Sequence, residues 1–457
     1  MNPARTGVPP STPAWRPQAH LTAPAGWIND PNGLLHLDGV YHAYFQHNPN
    51  GDQWGDLSWG HATSRDLVRW TPLPVALPAD ATEMVFSGSA VVDRLDTGGF
   101  GAGDRPPVVA VYTSGYHPTH PRYGVQAQSL AISLDGGLTF ERYSDNPVLD
   151  EGLADFRDPK VFWYQGDRRG AEGHWVMVVA EPAVHRVAFY TSSNLTDWSL
   201  ASRFGPAGAV GGVWECPDLL RTPVDGGGEG WVLLVSVSAG GPTGGSGTQY
   251  LVGSFDGHRF VADDPRDAQW LDHGHDYYAG VGFNDTPGPE PVTMAWASSW
   301  QYAERVPTSP WRGSMGLPRR LRLRVDHGRR QLRQRAVLPQ ASDGLLLADI
   351  PIRAGGAAVA LTSARGDLVR VVVDPAAGTL VVDRSRCGPD LGDGYATPVV
   401  APLPDGRPRD LRVVLDASIL EVVVDEELTV TEQVFPASPL TGLALDDAPT
   451  LSTRGLP

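Results

Sequence analysis

Short apolar runs broken by Gly, Pro, Asp and Asn set the pattern of this chain. Val187-Ala188-Phe189-Tyr190-Thr191, Tyr250-Leu251-Val252-Gly253 and Val292-Thr293-Met294-Ala295-Trp296-Ala297 are examples. β-branched and aromatic residues suit a pleated surface, and the flanking turn residues end each run after a few positions. The pattern therefore predicts short strands joined by tight turns.

Four segments repeat a theme: 64–70, 133–140, 193–198 and 254–260. Each opens on serine, passes through Asp, Asn or Gly, and closes on a large aromatic at 70, 140, 198 or 260. The steps of 70, 58 and 62 residues are too long for a helical repeat. They suit a four-stranded sheet with its loops, the unit of a β-propeller. Each motif is expected to be the turn into the last strand of a blade, with its aromatic packed against the next blade. Extending the period predicts a fifth blade from about 270 to 320 around Val292–Ala297. A propeller brings its inner strands to one axis, so acids far apart in sequence can meet in one funnel.

After Pro318 the pattern changes. Arginines crowd residues 319–335, and alternating Arg and Leu from 320 to 324 predicts a strand with one wet face. Leu368-Val369-Arg370-Val371-Val372-Val373 and Leu420-Glu421-Val422-Val423-Val424 follow, without helical periodicity. They predict a second all-β domain, a sandwich. The expected class is all-β: a five-bladed β-propeller with an appended C-terminal β-sandwich domain. The expected boundaries are an N-terminal extension over 1–24, the propeller over 25–320, a linking strand over 321–335 and the sandwich over 336–457. Residues 445–457 read as a tail.

Composition adds limits. Fourteen tryptophans among 53 glycines and 41 prolines fit many turns rather than disorder. A formal charge of -16 argues against nucleic acid or an anionic membrane as partner and fits a neutral substrate. No apolar run approaches the roughly 20 residues of a membrane span. The first 24 residues hold no apolar signal core, so a cytoplasmic location is expected. Cys216 and Cys387 make no disulfide framework.

Three acids carry the chemistry. Asp30 lies in Trp27-Ile28-Asn29-Asp30-Pro31-Asn32-Gly33, Asp158 in Arg157-Asp158-Pro159, and Glu215 in Trp214-Glu215-Cys216-Pro217-Asp218. Each has an aromatic close upstream and a proline within two residues. Glycosidic cleavage takes one protonated and one ionised carboxyl, held apart in pKa by their surroundings. Turn N–H groups around Asp30 would favour its charged form, and apolar neighbours of Glu215 its protonated form. Arg157 could lower the pKa of Asp158, whose two oxygens could accept from two sugar hydroxyls. Asp272-His273-Gly274-His275-Asp276 has metal-binding residue types, but no cysteine or further His-rich partner accompanies it, and it reads as a polar loop into the fifth blade. The Gly-rich stretch 240–247 lacks a P-loop Lys-Ser/Thr pair and reads as a flexible loop at the pocket rim.

With these residues in view, the chain resembles glycoside hydrolase family 32, the invertase, inulinase and levanase group. The likeness runs through 27–33, Tyr44 to Pro49, Trp59 to Ser64, Phe86 to Ser89, Phe156 to Lys160, Trp214 to Leu219 and Asp276 to Ala279. It implies retaining hydrolysis of β-fructofuranosides, with Asp30 as nucleophile, Glu215 as acid/base and Asp158 as transition-state stabiliser. It implies sugar contacts from Asn29, Gln46, Trp54, Phe86, Ser87, Arg157, Tyr278 and Trp300, and neither metal nor cofactor. The stretches 124–130, 244–250 and 307–312 look more like levanases and inulinases than sucrose-phosphate hydrolases, which favours fructan, fructooligosaccharide or sucrose as substrate. Leu317-Pro318-Arg319-Arg320-Leu321 departs, with arginine where the family usually has glutamate. A transfructosylase or a sucrose-preferring invertase on the same scaffold is the alternative.

Overall fold

The computed structural model describes residues 15–446, apart from 104, 167–172, 267–268, 339–344 and 405–407. Seven sheets account for its architecture. Five lie between Gly26 and Ala336, and apart from the added strand Trp311–Arg312 the main strands of each follow chain order, allowing tight turns. Their first strands are Gly26–Leu37, Glu83–Val92, Arg157–Tyr164, Trp214–Pro223 and Tyr278–Gly282. These touch in circular order, the fifth returning to the first. Trp311–Arg312 crosses back to pair in parallel with Gly26 and Trp27, latching the ring.

The repeated motif is the turn into the last strand of each of the first four sheets. Asp66 Oδ1 accepts from the N–H groups of Val68 and Arg69, and Asp135 Oδ1 from those of Leu138 and Thr139. Asn194 and Asp256 do the same for Thr196 and Asp197, and for His258 and Arg259. Such side-chain bonds replace the ladder bonds that the reversing chain gives up. In the third motif the serine that accepts N–H bonds is Ser192 rather than Ser193.

The closing aromatics pack in the opposite sense to the expectation. Phe140 of the second sheet meets Tyr44 of the first at 5.5 Å, and Phe260 of the fourth meets Phe204 of the third at 5.2 Å. Trp198 joins the cluster between the second and third sheets, and Trp70 stacks on Phe283 beside the fifth. The face on which each residue enters its strand decides this, and that face looks back along the ring.

Residues 321–335, expected as a linking strand, fall mostly in two strands of the fifth sheet. Arg319–Asp326 and Arg329–Ala336 are the two outer strands of the fifth sheet, in the order Tyr278–Gly282, Val292–Trp296, Arg319–Asp326, Arg329–Ala336. Leu321 and Leu323 are fully buried while Arg322 and Arg324 pair with Asp225, Glu290 and Glu427, as the alternation requires.

The last two sheets face each other across a core of alternating residues. Val369, Val371 and Val373 point inward against Leu411, Val413 and Leu415. Ile419–Val424 and Leu428–Gln433 are instead buried along their whole length, because their other face meets the propeller. That junction is polar. Arg319 bonds Asp272 at 2.9 Å and Glu421 at 3.2 Å, and Arg384 bonds Asp276 at 2.6 Å and Glu432 at 2.7 Å. The 272–276 segment therefore serves as the propeller's contact with the sandwich. Asp416 accepts from the N–H groups of Gln18, Ala19 and His20, so the described part of the N-terminal extension is fastened to the sandwich. Residues 445 and 446 end the last strand, whereas 1–14 and 447–457 lie outside the described residues.

Candidate active site

All three acids lie near the starting ends of first strands, at one mouth of the ring. The pairing of every first strand with its neighbour slips there. The slips fall at Asn29–Asp30, Phe86–Ser87, Asp158–Pro159, Cys216–Pro217 and Ala279–Gly280. A bulge re-aims side chains that a regular pleat would send to alternate faces. Asp158, Cys216 and Ala279 take left-handed φ values of 66, 47 and 54°. Such backbone costs roughly 1 kcal/mol or more per residue and clusters at functional sites. Pro159 and Pro217 sit inside two of the slips, where a missing N–H removes no ladder bond.

The cleft encloses about 440 Å³ and is lined by Asn29, Asp30, Gln46, Trp54, Phe86, Ser87, Arg157, Asp158, Glu215 and Trp300. Tyr278 reaches it by donating its hydroxyl to Glu215 Oε2. Every site residue expected from the sequence is thus gathered at one place. Leu57, Gln126 and Asp155 also line it and escaped the sequence reading. Gln126 and Asp155 both accept from Arg157 Nη1, at 3.1 and 2.8 Å. Asp155 lies only two positions before Arg157, the one local signal that could have found it.

Asp30 stands within a strand rather than in a turn. Its Oδ2 accepts from the Ser87 hydroxyl at 2.7 Å, and its Oδ1 is buried. Burial pushes its carboxyl above the ordinary range, the Ser87 bond opposes this, and the Glu215 charge adds to the rise. This reverses the sequence expectation, because few turn N–H groups converge on the carboxylate. Asn29 is fixed by accepting from the Trp27 indole at 2.7 Å.

Glu215 is held by polar groups, not by the apolar neighbours expected. Arg157 donates to its Oε1 from Nε at 3.1 Å and from Nη2 at 2.9 Å. Asp158 accepts from the Cys216 N–H at 2.9 Å and is raised to about 7. Burial is the main cause, Arg157 opposes it, and the charges of Glu215 and Asp30 add to it. Burial outweighs the arginine, the reverse of what adjacency alone suggests.

Around the rim, Trp54 is 43% exposed and tilts against Phe86 at 6.3 Å. Trp300 packs on Trp27 at 6.1 Å and Trp296 at 4.9 Å. The Gly-rich stretch closes on itself through Gly240 N–H to Gly244 O and Gly241 N–H to Gly245 O, and its Ser246 accepts from the Trp300 N–H at 3.3 Å.

Comparison with known proteins accords with this geometry. Residues 20–336 match the glycosyl hydrolases family 32 N-terminal domain, and residues 346–452 match the family's C-terminal domain. The chain belongs to glycoside hydrolase family 32. Within family 32, a levanase of Bacillus subtilis is 40% identical over 94% of this chain and 68% of its own length. An extracellular exo-inulinase of Aspergillus niger is 45% identical over 70% of this chain. The chain covers 64% of that exo-inulinase's length. The crystal structure of exo-inulinase from Aspergillus awamori superposes with a TM-score of 0.86 at 37% identity, covering 95% of both chains. A β-fructofuranosidase from Schwanniomyces occidentalis complexed with fructosyl-erythritol gives 0.83 at 33% identity, covering 93% of this chain and 92% of its own. These family 32 relatives fit the propeller-plus-sandwich architecture, and the chain is a glycoside hydrolase.

Proposed function

We propose that the enzyme hydrolyses β-fructofuranosides with retention, releasing fructose from fructan, fructooligosaccharide or sucrose. One observation carries the roles. Asp30, held by the Ser87 hydroxyl, lines the same cleft as Glu215, both of whose oxygens are held by Arg157 and Tyr278.

In the first step the Asp30 carboxylate attacks C2 of the fructosyl unit. The C2–O bond breaks as Glu215 gives its proton to the departing oxygen. In the second step Glu215 takes a proton from water, whose oxygen attacks C2 and frees Asp30. Ser87 steadies Asp30 when it is charged, and Arg157 and Tyr278 fix the direction of Glu215. Asp158 accepts from ring hydroxyls as positive charge gathers at C2. Acid/base assistance of this kind is worth roughly 10²–10⁴ in rate. Aromatic walls at Trp54, Phe86 and Trp300 suit the apolar face of a sugar ring, and the named relatives act on fructose-containing saccharides. That support extends to the substrate class.

The test compares sucrose with fructosyl fluoride, whose leaving group needs no proton. Asp30→Ala is expected to lose turnover of both. Glu215→Ala is expected to lose sucrose turnover yet form fructosyl azide from the fluoride when azide replaces water. Near-normal sucrose turnover by either variant overturns its assigned role. Incubation with sucrose, inulin and levan separately distinguishes fructose release from longer transfer products.

A further inference from the structure

We propose that the opposite mouth of the propeller carries a second binding site, for a neutral saccharide of one or two rings. This inference does not depend on the roles given to the catalytic acids. A cavity of about 410 Å³ opens there, close to the 440 Å³ of the catalytic cleft. Its walls come from the finishing ends of first strands. Phe162 and Trp163 lie near the end of the strand that begins with Arg157 and Asp158, and Asn284 and Asp285 follow the first strand of the fifth sheet. Five strand positions separate Asp158 from Trp163, roughly 16 Å along the ring axis. Lys160 lies between them. Its Nζ bonds Asp218 at 2.9 Å and Gly282 O at 2.6 Å, tying three sheets together between the two mouths.

The lining has the chemistry of sugar recognition. Trp163 and Trp175 meet edge to face at 5.0 Å and 75°, forming an aromatic corner beside Phe162. An aromatic face suits the C–H face of a pyranose or furanose ring. Arg94 and Asp285 sit opposite as a 3.3 Å ion pair, with side chains 56% and 38% exposed. Together they offer donors and acceptors to adjacent hydroxyls. The pair cancels its own charge, and the remaining acid, Asp93, is fully buried and satisfied by Thr97 and Gly98. No net positive charge is left for an anion, so a neutral polyol fits best. The Asn284 amide donates to Ala90 O at 2.8 Å and Val161 O at 3.0 Å, stapling the second and third sheets into a preformed wall. A sugar held here leaves the catalytic cleft open.

Calorimetric titration of the full-length Asp30→Ala chain with a purified five-ring fructooligosaccharide tests the proposal. Two bound molecules per chain are expected. Adding Asp285→Asn, or separately Trp163→Ala, is expected to reduce the stoichiometry to one. In the otherwise native enzyme, Asp285→Asn is expected to keep kcat/KM for sucrose within about twofold. Asp285→Asn removes an exposed charge and no core packing, so it remains informative if Trp163→Ala does not fold. A stoichiometry of one or none in the Asp30→Ala chain, or of two in both double variants, overturns the proposal. Residual hydrolysis would appear as free fructose and would count against Asp30 as nucleophile, not against this site. A second titration with maltopentaose separates a general neutral-sugar site, which binds it, from a fructan-specific one, which does not. Either result upholds the proposal.

Discussion

Arg157 and Glu215 meet through one carboxylate oxygen. Both guanidinium bonds, from Nε and Nη2, converge on Oε1, leaving Oε2 to the Tyr278 hydroxyl. A lysine is a point charge on a flexible stem and cannot repeat that fork. Arg157→Lys is expected to lower kcat for sucrose by roughly 10²-fold, the size of losing one preorganised donor. Tyr278→Phe is expected to lower it less, since the guanidinium still orients the acid. Steady-state kinetics, with folding checked by circular dichroism, decide between them.

Ser87 holds the charged form of Asp30. Ser87→Ala removes the hydroxyl, the largest influence set against burial, so the Asp30 pKa is expected to rise further. The acid limb of kcat/KM against pH is then expected to move to higher pH. An unmoved limb, with activity lowered equally at all pH values, would mean that Ser87 acts only through packing.

Asp158 is raised to about 7 partly because Glu215 and Asp30 add negative charge beside it. Glu215→Gln removes one of those charges and releases Arg157 from its partner. Both changes favour ionised Asp158, so its pKa is expected to fall. Titrating the ¹³C carboxyl shifts of labelled aspartate in the native and Glu215→Gln chains measures this directly.

His20 is buried between Asp416 at 2.8 Å and Glu421 at 3.3 Å. Burial alone would lower its pKa, but bonds and charge from both acids raise it from 6.5 to about 9. Glu421 is lowered from 4.5 to about 2, with burial opposed by Arg319 and His20. The His20 contribution to stability is full below pH 6.5 and lost as pH rises toward 9. That of Glu421 is present above pH 4.5 and lost as pH falls toward 2. From this cluster, thermal stability is expected to be greatest between about pH 4.5 and 6.5. His20→Ala is expected to cost about 3–5 kcal/mol below pH 6.5 and to flatten the alkaline decline. Unfolding midpoints measured from pH 4 to 9 check both.

Much of the fold could be read from local pattern. Turn residues and apolar runs act over a few positions, so the strands and the repeated Asp or Asn turns were legible. The acids were legible because each sits in a dense local motif. Effects of long-range pairing were not. The slips at all five first strands exist only relative to neighbouring strands, and Pro159, Pro217 and Gly280 were the one local trace inside them. The segment 321–335 was legible as a strand but not as part of the fifth sheet, because nothing in it names the partner across the chain. Asp272 finds its arginine at 319, in an outer strand of the fifth sheet, and Asp276 finds its own at 384, a match that requires the sandwich to be in place. The raised carboxyls at 30 and 158 follow from enclosure, a property of the assembled ring.

Asp276 stands two residues before Tyr278, and Arg384 of the sandwich grips it. The hydroxyl that orients Glu215 is therefore anchored from outside the ring. A shortened gene ending after residue 336 would strip that anchor away, so anyone grafting this ring onto another scaffold inherits a borrowed foundation and must supply its replacement.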